Sequence, residues 1–276
     1  MKIELPISKR KEILLVREAS MASMSIGVGL THIRKYDFVQ PGFFYSSLYS
    51  ITTGIERLMK LILIYHYRVE NNDKFPNNGQ LKAFGHKISD LFNLSLNINS
   101  KLGFNNEEGV LKKDTLYGII LNFFSDFANQ SRYYNLDTLT GRQQNNEEPL
   151  KRWDEDVNSI ILKRHYKPRK EKLEQIKAIA AMAENSTFVK FSNDSGNHVG
   201  SLKQFYLKGD QVTTKQKYSM YYIYVIVRFL SNLLADLQHE GRLYPFLQEF
   251  FVVFRNSDKS YVFNKKSWNP NPPYRF

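Results

Sequence analysis

From Phe44 to Ile62 the apolar residues Phe44, Leu48, Ile51, Ile55, Leu58 and Ile62 recur at steps of three and four, the period of one buried helix face. Pro41 and Gly42 precede the run as a start signal. The opposite face carries Tyr49, Thr53, Glu56, Arg57 and Lys60, with Glu56 and Lys60 in the favourable i,i+4 order. The turn cluster "NNDKFPNNG" at 71–79 ends this helix and makes the next one its antiparallel neighbour. That next helix is expected over 78–92, where Leu81, Phe84, Ile88, Leu91 and Phe92 form a stripe. His86, beside Gly85, points away from it together with Asp90.

A third strong pattern runs from Asp114 to Arg132, with Leu116, Ile119, Ile120, Phe123 and Phe127 as its stripe and Arg132 on the far side. The polar segment 140–149 reads as a long loop and the best boundary in the chain. Helices follow at about 150–166 and 169–184, broken at Pro168. Residues 186–205 read as irregular, with Val189 to Phe191 extended. A long helix spans Thr214 to His239. Near the end, "FFVVFRNSDKSYVFNKK" has the β-rich runs and central polar turn of a hairpin. The expected fold is therefore mainly α, a multi-helix bundle with a small C-terminal β-hairpin. Residues 1–140 form the bundle core, and 150–276 add helices packed on it.

Composition narrows the chemistry. The chain of 276 residues has no cysteine, which excludes disulfides, a thiolate nucleophile and cysteine–zinc clusters. The amino terminus lacks a secretory pattern. Met220 to Leu237, the most apolar stretch, is interrupted by Arg228, Asn232 and Asp236, so a buried helix is expected rather than a membrane span. A cytoplasmic protein with no membrane partner follows as the expectation. Its formal charge of +12 favours an anionic partner, nucleic acid first, over solubility alone.

Motif by motif, much is excluded. Gly27 and Gly29 lack the third glycine and the strand of a dinucleotide site, and neither a Walker loop nor a serine elbow occurs. The six histidines are scattered; only His86 with Asp90 has two-ligand spacing, and Asp194 with His198 is weaker. No metal or cofactor is expected. The local charge maximum is "LKRHYKPRKEK" (162–172), where Lys163, Arg164, Lys167, Arg169 and Lys170 surround Tyr166. Cations interleaved with an aromatic ring suit a single-stranded nucleic acid.

The order of "SSLYSITTGIERLMKLILIYHY", a short loop, "LKAFGHKISDLF" and "FANQSRYYNLD" resembles the HEPN superfamily, small helical bundles common in bacterial toxin–antitoxin and anti-phage systems. The likeness covers residues 40–137. It implies a dimeric protein that cuts RNA without a metal, in partnership with an antitoxin or another protein. The family's nuclease motif places a histidine four to six residues after an arginine. Here Arg132 is followed by Tyr133, Tyr134, Asn135, Leu136 and Asp137, and no histidine comes before His165. A divergent version would use Arg132 and Asn135 with His86 from another helix. Members without the motif are interaction or scaffold modules, so both functions stay open.

Cleavage needs a base for the 2′-hydroxyl, a cation for charge growing on phosphate and an acid for the leaving oxygen. Arg132 is the expected cation, and His86, held by Asp90 or Glu56 in a polar seam near Lys60, the expected base. Homodimerisation is expected through "YSMYYIYVIVRFLSNLL" (218–234), whose apolar circumference exceeds one core face.

Overall fold

A computed structural model of the chain describes residues 7–104, 107–142, 147–183, 191–192 and 198–269. The two first helices, α1 (Ile7–Ile33) and α2 (Gly42–Glu70), pack antiparallel. Their pairing is fixed at several levels: Ser47 Oγ donates to the Gly29 carbonyl at 2.8 Å, His32 Nδ1 meets Ser46 Oγ at 2.8 Å, and Glu18 pairs with Arg57. Glycine makes the close approach possible. A Cβ on Gly54 would lie 2.7 Å from Ile26 Cγ1 and 2.9 Å from the Ala22 carbonyl, closer than real side chains approach. Gly27 and Gly29 thus sit within α1, where the glycine at 29 serves helix packing and not a phosphate turn.

The helix expected over 78–92 is two helices, α3 (Asn78–Ala83) and α4 (Ile88–Leu102). Gly85 has φ +72°, a left-handed conformation that glycine adopts without the steric cost of a Cβ. It therefore closes α3 instead of weakening a longer helix. Ile88, Leu91 and Phe92 are buried as expected, whereas Leu81 is exposed.

After α5 (Glu108–Lys113), helix α6 (Thr115–Asp126) starts from an Asp114 cap and carries the predicted stripe into the core. It ends in a π turn at Phe127–Ser131, directly before Arg132 and α7 (Tyr134–Leu139). The region expected as one helix at 150–166 is α8 (Pro149–Trp153), a second π turn at Asp154–Asn158 and α9 (Ser159–His165). Helix α10 (Lys170–Ala183) follows the Pro168 break. Phe191–Ser192 pairs antiparallel with His198–Val199; Val189 and Asp194 lie outside the described residues.

Helix α11 (Leu202–Gly241) starts twelve residues earlier than its apolar pattern suggests and runs through the centre of the bundle. From Met220 to Leu237 nearly every side chain is buried, against α2, α4, α6, α9 and the C-terminal segment. Between Met220 and Leu237 its apolar circumference is largely buried within the chain. By length and composition α1 and α11 are each apolar enough to cross a membrane, and 83% of the apolar window of α11 is buried in the bundle.

The C-terminal β-hairpin is absent from the described residues. In its place stand a 3-10 helix at Leu247–Phe254 and α12 (Lys259–Asn264), capped by the Asp258 carboxylate accepting from the Ser260 amide. The buried positions Leu247, Phe251 and Phe254 are spaced by four and three, so packing against α11 overrides the β propensity of "FFVVF". The Trp268 amide donates to Thr31 Oγ1 at 2.9 Å and Ser23 Oγ to the Phe250 carbonyl at 2.6 Å, which fastens this segment to α1.

Candidate functional site

Because α2 buries Ile51, Ile55, Leu58 and Ile62, its polar face turns outward with Thr53, Glu56, Arg57 and Lys60 in line. These residues floor a groove of about 490 Å³. Glu18 of α1 forms one wall, Leu81 of α3 and His86 another, and Arg132 closes the end. The left-handed Gly85 puts His86 on the link between α3 and α4, where its side chain is 75% exposed and open to a ligand. Ser89, just after it, donates its amide to Ser125 Oγ of α6 at 2.7 Å. That bond ties the histidine-bearing link to the helix that leads to Arg132.

His86 Nδ1 lies 2.9 Å from Glu56 Oε1 and 2.9 Å from Lys60 Nζ, and Lys60 is 2.8 Å from the same Glu56 oxygen. One ring nitrogen cannot donate to Glu56 while accepting from Lys60. Burial raises the Glu56 pKa, but hydrogen bonds from Lys60 and His86 outweigh it and hold the carboxyl below its ordinary value. The contact with an ionised Glu56 is satisfied by the tautomer that carries its proton on Nδ1 and donates it to that carboxylate. The Nε2 lone pair is then free at the exposed edge.

Arg132 is a cation without a counter-ion among the described residues, and its Nε is buried with no hydrogen-bond partner. Its backbone is held by the Tyr49 hydroxyl, which donates to the Arg132 carbonyl. By contrast Arg57 is paired with Glu18 and Lys60 with Glu56. A phosphate entering the groove meets one guanidinium free to receive it.

Three of the four residues expected to act together, Glu56, His86 and Arg132, line this one groove. Asn135 does not; it lines an adjoining pocket with Tyr45, Tyr49 and Tyr133. Asp90, the alternative partner of His86, faces Lys87 at 3.5 Å. Glu18 and the tyrosines were not anticipated from the sequence. Tyr45 and Tyr49, an i,i+4 pair on the polar side of α2, were the available signal.

The basic segment is divided between structural and free positions. Arg164 donates to Asp114 Oδ2 at 2.7 Å, and Tyr166 gives its hydroxyl proton to Asp210 Oδ2 at 2.7 Å. Lys172 also pairs with Asp210. Lys163, Lys167, Arg169 and Lys170 are exposed. His165 stacks on Tyr218 with ring centroids 3.7 Å apart, and burial, Lys259 and Arg164 hold its pKa below the ordinary value.

Among the described residues no group of three or more histidine and acidic side chains is placed to hold a metal ion. Compared with family models, curated proteins and solved structures, the chain matches none of them.

Proposed function

We propose that the protein is a HEPN-like, RNA-binding and metal-independent RNA-cleaving protein of a bacterial defence or toxin–antitoxin system, with its site in the groove over α2. One observation carries this reading: Glu56, His86 and Arg132, drawn from three distant segments, line the same groove. His86 Nε2 takes the 2′-hydroxyl proton, O2′ bonds to phosphorus, and the bond from phosphorus to O5′ breaks. Arg132 holds the extra negative charge on the phosphoryl oxygens. Lys60, the one ammonium in the lining, supplies the proton for the departing O5′. The products are a 2′,3′-cyclic phosphate and a 5′-hydroxyl.

The exposed lysines Lys163, Lys167 and Lys170 add sequence-independent phosphate attraction. The test is incubation of purified protein with single-stranded RNA in chelator, followed by end-group analysis. Cyclic phosphate ends from the wild type and none from His86→Ala support the reading. No cleavage by the folded wild type, or equal cleavage by both, removes it.

A second reading, a non-catalytic interaction module, is favoured by α1. Ile13, Leu14, Met21 and Met24 share one outward arc of that helix and are 38–50% exposed, an apolar strip suited to a protein partner. It expects a stable complex whose formation survives Arg132→Ala and no turnover of RNA.

A further inference from the structure

Arg132 also borders a second concavity, of about 230 Å³, which adjoins the groove at that residue. Its other walls are Tyr45, Tyr49, Ser131, Tyr133, Tyr134, Asn135 and Leu136. Two of the tyrosines are fixed. Tyr49 donates its hydroxyl to the Arg132 carbonyl and sets its ring edge-on to Phe127 at 5.3 Å. Tyr45 donates to Glu148 Oε1, and burial together with that carboxylate keeps the phenol protonated. Tyr133 differs: the residue is 65% exposed, and no hydrogen bond or ring–ring contact engages its side chain among the described residues. The Asn135 amide lies beside the Tyr45 hydroxyl on the rim.

We infer that this pocket receives the nucleobase next to the phosphate held by Arg132, so that the substrate is single-stranded RNA with one base turned out of its stack. The inference rests on the reading of the groove as the RNA site. Several features agree on the ligand. The pocket has aromatic walls and no carboxylate in its lining, which suits the π face of a base on a polyanion. Beyond its hydrogen bond to the Tyr45 hydroxyl, the Asn135 amide keeps a donor and an acceptor for a base edge. The shared arginine puts a phosphate at the boundary, where a neighbouring base would leave the backbone. A duplex keeps its bases stacked and paired and has nothing to insert. Asn135 thereby belongs to recognition, not to the chemical step.

The test separates binding from cleavage by using fluorescein-labelled 2′-O-methyl hexauridylate and hexaadenylate, which lack the attacking hydroxyl. Anisotropy titrations compare wild type with Tyr133→Ala, Tyr133→Trp and Arg132→Ala, each checked for folding by circular dichroism. A matching oligomer with abasic residues is measured in parallel. For at least one homopolymer Tyr133→Ala is expected to weaken binding about tenfold, Tyr133→Trp to restore it, and the abasic oligomer to bind wild type as weakly as the intact one binds Tyr133→Ala. Equal affinity of wild type and Tyr133→Ala, equal affinity for intact and abasic oligomers, or no binding of either homopolymer overturns the inference. Weakening by Arg132→Ala alone leaves the groove reading standing while the base pocket falls. Weakening by Tyr133→Ala alone does the reverse.

Discussion

The groove over α2 and the basic run at 162–172 are both polar, cationic surfaces, but they are assembled differently. The run is contiguous in sequence, and two of its most distinctive members are committed to the fold, Arg164 to Asp114 and Tyr166 to Asp210. The groove gathers residues 18, 56, 86 and 132 from four segments, and its Arg132 has no counter-ion among the described residues. A charge cluster visible along the chain is therefore partly mortar. In the groove, distant segments converge and leave one group unsatisfied. Placing the chemistry in the groove and the attraction in the run makes the two regions separable by experiment.

The largest expected difference is in rate. Arg132→Ala should lower RNA cleavage about 10²- to 10³-fold, the usual cost of removing a donor to a developing oxyanion, with an unchanged thermal midpoint. Next in size is a packing change that breaks the groove through its scaffold. Gly54→Ala forces α1 away from α2 and should destabilise the chain by about 1–3 kcal/mol, read from urea denaturation. In the basic run, the triple substitution of Lys163, Lys167 and Lys170 by alanine should leave the cleavage chemistry intact. It should reduce the slope of log affinity against log salt by about 2, at about 0.7 per single-strand phosphate contact.

Smaller effects come from titration. Glu56 has a lowered pKa in the folded chain, so its contribution is present above the unfolded carboxylate value of about 4.3 and is lost as pH falls through the folded value. Wild type should therefore lose its advantage over Glu56→Gln on acidification below that point, in denaturation midpoints measured from pH 6 to 3. His165 has a lowered pKa as well. The unfolded chain binds its proton first, so stability falls as pH drops below about 6.5 until the folded pKa is reached, a loss that His165→Phe should reduce. Least of all, Arg164→Ala should cost about 0.5 kcal/mol, since its pair with Asp114 is partly exposed, and Lys163→Ala nothing measurable.

The stripes of α2, α6 and α11 were legible because a single period places their apolar residues, and the core they predict is the core observed. Two elements misled for identifiable reasons. Around Gly85 the apolar spacing continues across a break between two helices, since Phe84 on one side and Ile88 on the other reach the same core, and only the left-handed φ reveals the stop. In "FFVVF" strand propensity pointed one way and the buried spacing of Leu247, Phe251 and Phe254 the other. The convergence of His86 with Glu56 followed from the polar face of α2 and the short link after it. The exit of Asn135 into a neighbouring pocket did not, because the π turn at Phe127–Ser131 shifts the helical phase just before Arg132.

The most direct measurement is metal-free cleavage of one single-stranded RNA, in chelator, by wild type, Arg132→Ala and the Lys163/Lys167/Lys170 alanine triple variant side by side. Cleavage by wild type and the triple variant at saturating RNA, and none by Arg132→Ala, is the expected result and places the chemistry in the groove. Loss in the triple variant with retention in Arg132→Ala, or no cleavage by any of the three, would contradict it.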